Sequence, residues 1–214
     1  MARTFTKKPR GGACRPQNAT ILIAAEGKNA TEKNYFSSFC KAHVGFVIHF
    51  VKKGSTDPEN MMNDLDDAWE RENLNSDNGD KGYIVLDLDC SEKKANLIKR
   101  LSSQHGKFIV SNPCFEVWFL MHFQCSTHSF ANCSEVIEAL RKHIPGYQKN
   151  FDVYSIIEQR LDDTALPNAD KIDRTYKNEK FEWPTSHFNP KTAVPELIRD
   201  LFKIEKKYKS KIKS

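Results

Sequence analysis

YIVLDLD, residues 83–89, decides the fold. It is an apolar run, rich in β-branched and aromatic residues, that ends in two acids. Such a run after the loop-like NLNSDNGDKG (73–82) reads as a buried strand. Two more runs precede it, ATILIAAE (19–26) and GFVIHFV (45–51), and KFIVS (107–111) follows. Each gap between them carries a helical pattern. Tyr35, Phe36, Phe39 and Cys40 recur at helical spacing within 31–43. Met61, Met62, Leu65, Ala68 and Trp69 do so after Thr56, Pro58 and Glu59, which predict a cap, a first-turn proline and a capping box. Ser91 predicts the cap of a helix with Leu97, Ile98 and Leu101 inward. Asn112-Pro113 predicts the start of another, CFEVWFLMHF. Strands alternating with helices predict an α/β fold with a four-stranded, mainly parallel sheet covered on both faces.

Beyond residue 124 the strand signals stop. Helices are expected around Val136, Ile137 and Leu140, around Val153, Ile156, Ile157 and Leu161, over 167–178, and from Asn189-Pro190 with Val194, Leu197, Ile198 and Leu201 inward. The expected organisation is a basic arm over 1–18, an α/β domain over 19–125, and a helical extension over 126–214 packed on it.

The 214 residues suffice for a core without covalent staples. There is no apolar run long enough to span a membrane and no apolar core of a secretory signal near the start. Those features predict a cytoplasmic protein. The six cysteines, at 14, 40, 90, 114, 125 and 133, form no C-x-x-C pair, so free thiols are expected. His122, Cys125, His128 and Cys133 lack the tight pairing of a zinc site. No phosphate-binding loop is present, so NTP hydrolysis is not expected of this chain. The net charge is +5, with Arg3, Lys7, Lys8, Arg10 and Arg15 at the start and five lysines after Ile204. Basic ends suit a polyanion, and equally suit solvated tails.

Open α/β sheets place their sites outside the carboxyl ends of the strands. Two strands here end in acids, one at Glu26 before Gly27 and one at Asp87-Leu88-Asp89. Residues two apart share a face of a strand, which would aim Asp87 and Asp89 at one point; alternatively Asp89 lies in the turn. Converging carboxylates repel unless they hold a cation, and Mg²⁺ or Mn²⁺ suits hard oxygen donors. The plainer reading is that Asp87 and Asp89 cap the next helix or pair with lysines. Glu116 falls near a helix start, where it can point into the site. Phe115 and Trp118 read as core, and His122 as a core histidine.

A strand ending in Glu-Gly and a later strand ending in Asp-x-Asp resemble the Toprim arrangement of topoisomerases, primases and OLD-type nucleases. ILIAAEG with TEKNYF, VLDLD, SNPCFEVWFLMHF and FNPKTAVPEL together resemble the RloB family, associated with phage defence. On that resemblance Glu26, Asp87 and Asp89 match the Toprim acids. Asn112, Phe115, Glu116, Trp118 and His122 match the central motif, and Asn189 and Thr192 the final Asn-Pro-x-Thr. One residue is inserted before Thr31-Glu32, and Cys90 stands where the family often has an acid. The resemblance implies a Toprim-like fold and a metal-dependent nuclease acting on DNA or RNA such as tRNA. The implied site has Glu26, Asp87 and Asp89 on Mg²⁺ or Mn²⁺, with Glu116 assisting. The implied partner is an ABC- or AAA-type ATPase encoded nearby. A non-catalytic module binding nucleic acid or protein is the alternative, and primase-like synthesis a third reading.

Overall fold

The computed structural model describes residues 17–26, 31–52 and 54–213. Residues 1–16 of the expected basic arm, and Gly27, lie outside that range. The elements run β1 (Ala19–Ala25), α1 (Thr31–Ala42), β2 (Phe46–Phe50), α2 (Pro58–Arg71), β3 (Lys81–Asp87), α3 (Glu92–Arg100), β4 (Gly106–Asn112) and α4 (Glu116–Met121). They continue with α5 (Cys133–Arg141), α6 (Tyr154–Ile157), α7 (Leu166–Tyr176), β5 (Lys191–Thr192) and α8 (Val194–Lys213). No described helix is long and apolar enough to cross a membrane.

The architecture is mixed α/β around one sheet, ordered β2-β1-β3-β4-β5. β1 to β4 are parallel. The fifth strand corrects the expected four. β5 pairs antiparallel with β4, Ser111 opposite Thr192 and Asn112 opposite Lys191. Two residues cannot show an alternation, so nothing local marks it as a strand. The pair is tied by a 2.7 Å hydrogen bond between the Ser111 and Thr192 hydroxyls, and Thr192 Oγ1 also accepts the Val194 N–H at 3.2 Å. The last helix therefore starts after this strand and not at Asn189-Pro190.

The period-two geometry of the strands sorts their side chains into two cores. Ile21, Ile23, Ala25, Tyr83 and Val85 face α1, α4 and the C-terminal helices. Leu22, Ala24, Ile84, Leu86 and Leu88 face α2 and α3. Residues from both the α/β part and the part beyond 125 build the first core, with Trp118, Val136, Tyr147 and Leu197 buried together. Both faces being covered explains why these strands read as continuous apolar runs.

Two caps differ from expectation. α2 is capped by Asp57, whose side chain accepts from the N–H groups of Glu59 and Asn60, because Asp57 and not Thr56 directly precedes Pro58 at the first position. α4 begins at Glu116 without a side-chain cap, since the Asn112 side chain is used elsewhere. Ser91 caps α3 as expected, accepting from the Lys94 N–H at 3.1 Å.

Candidate functional site

β1 and β3 are neighbours in the sheet, although β2 intervenes in sequence. From β1 the chain steps to one side to form β2, then crosses to the other to form β3. The gap between the carboxyl ends of β1 and β3 is therefore a topological switch point, where open α/β sheets bind ligands. Glu26 follows β1 and extends its ladder, its N–H donating to Val85 O at 3.1 Å. Its Oε2 accepts the Asp87 N–H at 2.8 Å. The Glu26 carboxylate thus reaches the backbone of Asp87 across the two strands.

Asp87 and Asp89 part company. Asp87 ends β3 on the face of Tyr83 and Val85, and its Oδ1 accepts the Phe115 N–H at 2.8 Å. Asp89 lies in the turn beyond, at φ 54°, followed by Cys90 at φ 57°. Two left-handed residues break the strand alternation, and the Asp89 side chain is 61% exposed. The turn is held by long-range bonds: Asp89 N–H to Pro113 O at 2.9 Å and Cys90 N–H to Asn112 Oδ1 at 3.1 Å. Asn112 Nδ2 in turn donates to Phe188 O at 2.9 Å. Asn189 Nδ2 donates to Phe130 O at 2.7 Å and lies 3.4 Å from Cys90 Sγ. The two asparagines of the sequence motifs therefore shape the turn that carries Asp89.

A lysine joins the strand-end acids. Lys94 Nζ donates to both oxygens of Glu26, at 3.0 and 3.1 Å, and reaches Asp89 Oδ2 at 3.4 Å. Pairing with lysines, the plainer reading of the aspartates, thus holds for Asp89, although no motif in the sequence singles out Lys94. The available signal was a basic residue in the first turn of a helix, where the macrodipole favours acids.

Behind Asp87 lie two more carboxylates. Glu32, in the first turn of α1, is 5% exposed, and Glu116 is 1% exposed. Tyr147 OH donates to Glu116 Oε1 at 3.1 Å. Glu32 Oε2 is buried with no hydrogen-bond partner among the described residues. Burial, above all, pushes the Asp87 carboxyl well above the usual range, and the charges of Glu32, Glu116, Glu26 and Asp89 add to it. Burial likewise pushes Glu32 up to about 7, with Glu116 and Glu26 adding; its own backbone N–H and Lys149 act the other way. Acids that resist ionisation for such reasons gather at functional sites. Hard oxygens, one of them without a partner, fit a divalent cation in donor chemistry.

The cysteines need a correction. Cys114 and Cys133 form a disulfide, where free thiols were expected. They are 19 apart in sequence and recognisable only once the starts of α4 and α5 meet, with the Cα atoms 5.5 Å apart. Cys114, Cys133 and Glu116 offer ligand atoms all within 4.8 Å of one another, a group able to hold a metal. Its sulfurs would suit a softer ion than Mg²⁺, and only as thiolates. The soft-ligand run noted in the sequence is dispersed. His122 is 1% exposed with Nδ1 2.9 Å from Trp118 O, and Cys125 lies against Asn168 O. Burial lowers His122 to about 4, so it is a neutral core histidine. Phe115 and Trp118 are buried as expected.

No curated protein and no solved structure matches the chain. The family model described as RloB-like protein matches residues 21–201, from the middle of β1 into α8. That span holds every acid of the site and both asparagine motifs, and the chain belongs to the RloB-like family.

Proposed function

We propose that this chain is a metal-dependent nuclease of Toprim type that hydrolyses phosphodiester bonds in DNA or RNA, tRNA included. In this reading it is the effector of a phage-defence system and works with an ATPase encoded nearby. The carrying observation is that Glu26 and Asp87 touch at the ends of adjacent parallel strands, with Lys94 bridging Glu26 to Asp89 in the turn beyond, backed by the buried Glu32 and Glu116. Glu26, Asp87 and Asp89 are the residues to hold Mg²⁺ or Mn²⁺. Such an ion, when bound, polarises a phosphoryl oxygen and acidifies water.

The chain's own groups have separable tasks. Phe115 N–H fixes one oxygen of Asp87, and Glu26 is fixed by the Asp87 N–H, so neither acid is free to turn away. Glu116, buried with the Tyr147 hydroxyl donating to one oxygen, is the candidate helper behind Asp87. Exposed Lys93, Lys99 and Arg100 on α3 supply charge for a phosphate backbone beside the acids. The defence role and the ATPase rest on the resemblance of the motifs.

The test is cleavage by the activated complex with its partner, offered plasmid, single-stranded DNA and tRNA. Asp87→Asn should lose at least about 100-fold in rate, the order expected when a metal-based water activator fails. Equal cleavage with Glu26, Asp87 and Asp89 all neutralised refutes the assignment. The binding-module reading then takes its place; the pairing of Lys94 with Glu26 and Asp89, which offsets part of their charge from within, favours that second reading.

A further inference from the structure

Lys94 is the third residue of α3, with its N–H on the Ser91 cap. A cation in a first helical turn opposes the macrodipole, so its stabilisation has to come from elsewhere in the fold. It comes from across the sheet edge: among the described residues its ammonium bonds to three carboxylate oxygens, two on Glu26 and one on Asp89. The Lys94 and Glu26 side chains are only 16% and 19% exposed, so solvent screens this pair less than a surface pair. The helix is anchored so that the reach is reproducible, with Glu92 accepting from the Ser186 N–H at 2.7 Å and from the Thr185 hydroxyl at 3.0 Å. On its other side Lys94 borders a groove of about 630 Å³ between the start of α2 and α3, where Lys93, Asn96 and Arg100 also face. The side chain thus has two destinations, the acids or the groove.

We propose that Lys94 is a tethered cation that competes with a divalent ion for Glu26 and Asp89. Its ammonium holds the two carboxylates together in the ion-free protein. When an ion takes their oxygens, the lysine is displaced into the α2–α3 groove beside Lys93 and Arg100. The residue thereby sets the ion concentration at which the site loads. The inference rests on the metal reading above, and the Oε2 of buried Glu32, which has no hydrogen-bond partner among the described residues, is an independent sign that cationic charge belongs there.

The test is Mn²⁺ binding by calorimetry to the full chain, as wild type, Lys94→Met and Lys94→Arg, with thermal melting in EDTA alongside. Lys94→Met should bind Mn²⁺ at least about 10-fold more tightly, the equivalent of removing one charge-assisted hydrogen bond from the competitor. It should also melt lower than wild type in EDTA and recover on adding Mn²⁺. Lys94→Arg, which keeps the charge, should stay within about 3-fold of wild type on the same scale. Equal or weaker Mn²⁺ binding by Lys94→Met overturns the competition while leaving the metal reading intact. Absence of Mn²⁺ binding by all three proteins overturns the metal reading and this inference with it. Should Lys94→Met not fold, ¹³C-dimethyl-lysine spectra of the wild type serve instead. The Lys94 signal, assigned through Lys94→Arg, should shift with Mg²⁺ and saturate with site occupancy; a signal that stays put while Mg²⁺ binds overturns the proposal.

Discussion

Replacing Glu32 by Gln should stabilise the ion-free protein, and the gain should depend on pH in a defined direction. Glu32 is 5% exposed, and its Oε2 has no hydrogen-bond partner among the described residues. Burial, then Glu116 and Glu26, raise its carboxyl from 4.5 to about 7. The native state therefore holds the proton more tightly than the unfolded chain does. Stability from this group is fully present below pH 4.5 and is lost as pH rises through about 7. At about 1.4 kcal/mol per pH unit, the loss at pH 8 is about 3 kcal/mol. Gln keeps the shape and never ionises, so it avoids that loss. For a chain of this size the difference corresponds to a rise in Tm of roughly 6–12 °C at pH 8. At pH 4.5 the two proteins should melt within a degree or two of each other, roughly the span of a few tenths of a kcal/mol. The assay is thermal unfolding in EDTA at half-unit steps from pH 4.5 to 8. A difference independent of pH, or a variant less stable than wild type at pH 8, refutes the reasoning that Glu32 is an ion held at a cost in a buried acidic cluster.

His122 titrates in the opposite sense: burial depresses it from 6.5 to about 4, so its contribution is present above 6.5 and lost as pH falls through 4. Urea midpoints should show the wild type losing about 3 kcal/mol more than His122→Gln over that window. Breaking the Cys114–Cys133 link, which closes a 19-residue separation, should cost about 3 kcal/mol by loop closure. The urea midpoint should fall on adding dithiothreitol, and a Cys114→Ala, Cys133→Ala protein should be indifferent to it.

What could be read from the sequence was what neighbouring residues encode together. Continuous apolar runs such as 19–25 and 83–86 announce strands covered on both faces, and Tyr35, Phe36 and Phe39 announce a helix, because each pattern is complete within a few residues. Glu26, Asp87 and Asp89 were legible for the same reason, as charges at the ends of apolar runs. The tertiary structure alone decided how they relate. Strand order puts β1 beside β3, and no local signal carries that order, since it depends on which crossover packs where. The left-handed turn at Asp89 and Cys90 separates two aspartates that strand alternation would have aligned; it is held by Asn112 and Pro113, more than twenty residues on. β5 has only the partner strand to define it. Cys114 finds Cys133, and Lys94 finds Glu26, across distances in the chain that no periodicity spans. Local pattern specifies elements because a residue's burial repeats with the geometry of its own backbone; the site is non-local because charges pair with whatever the fold brings near.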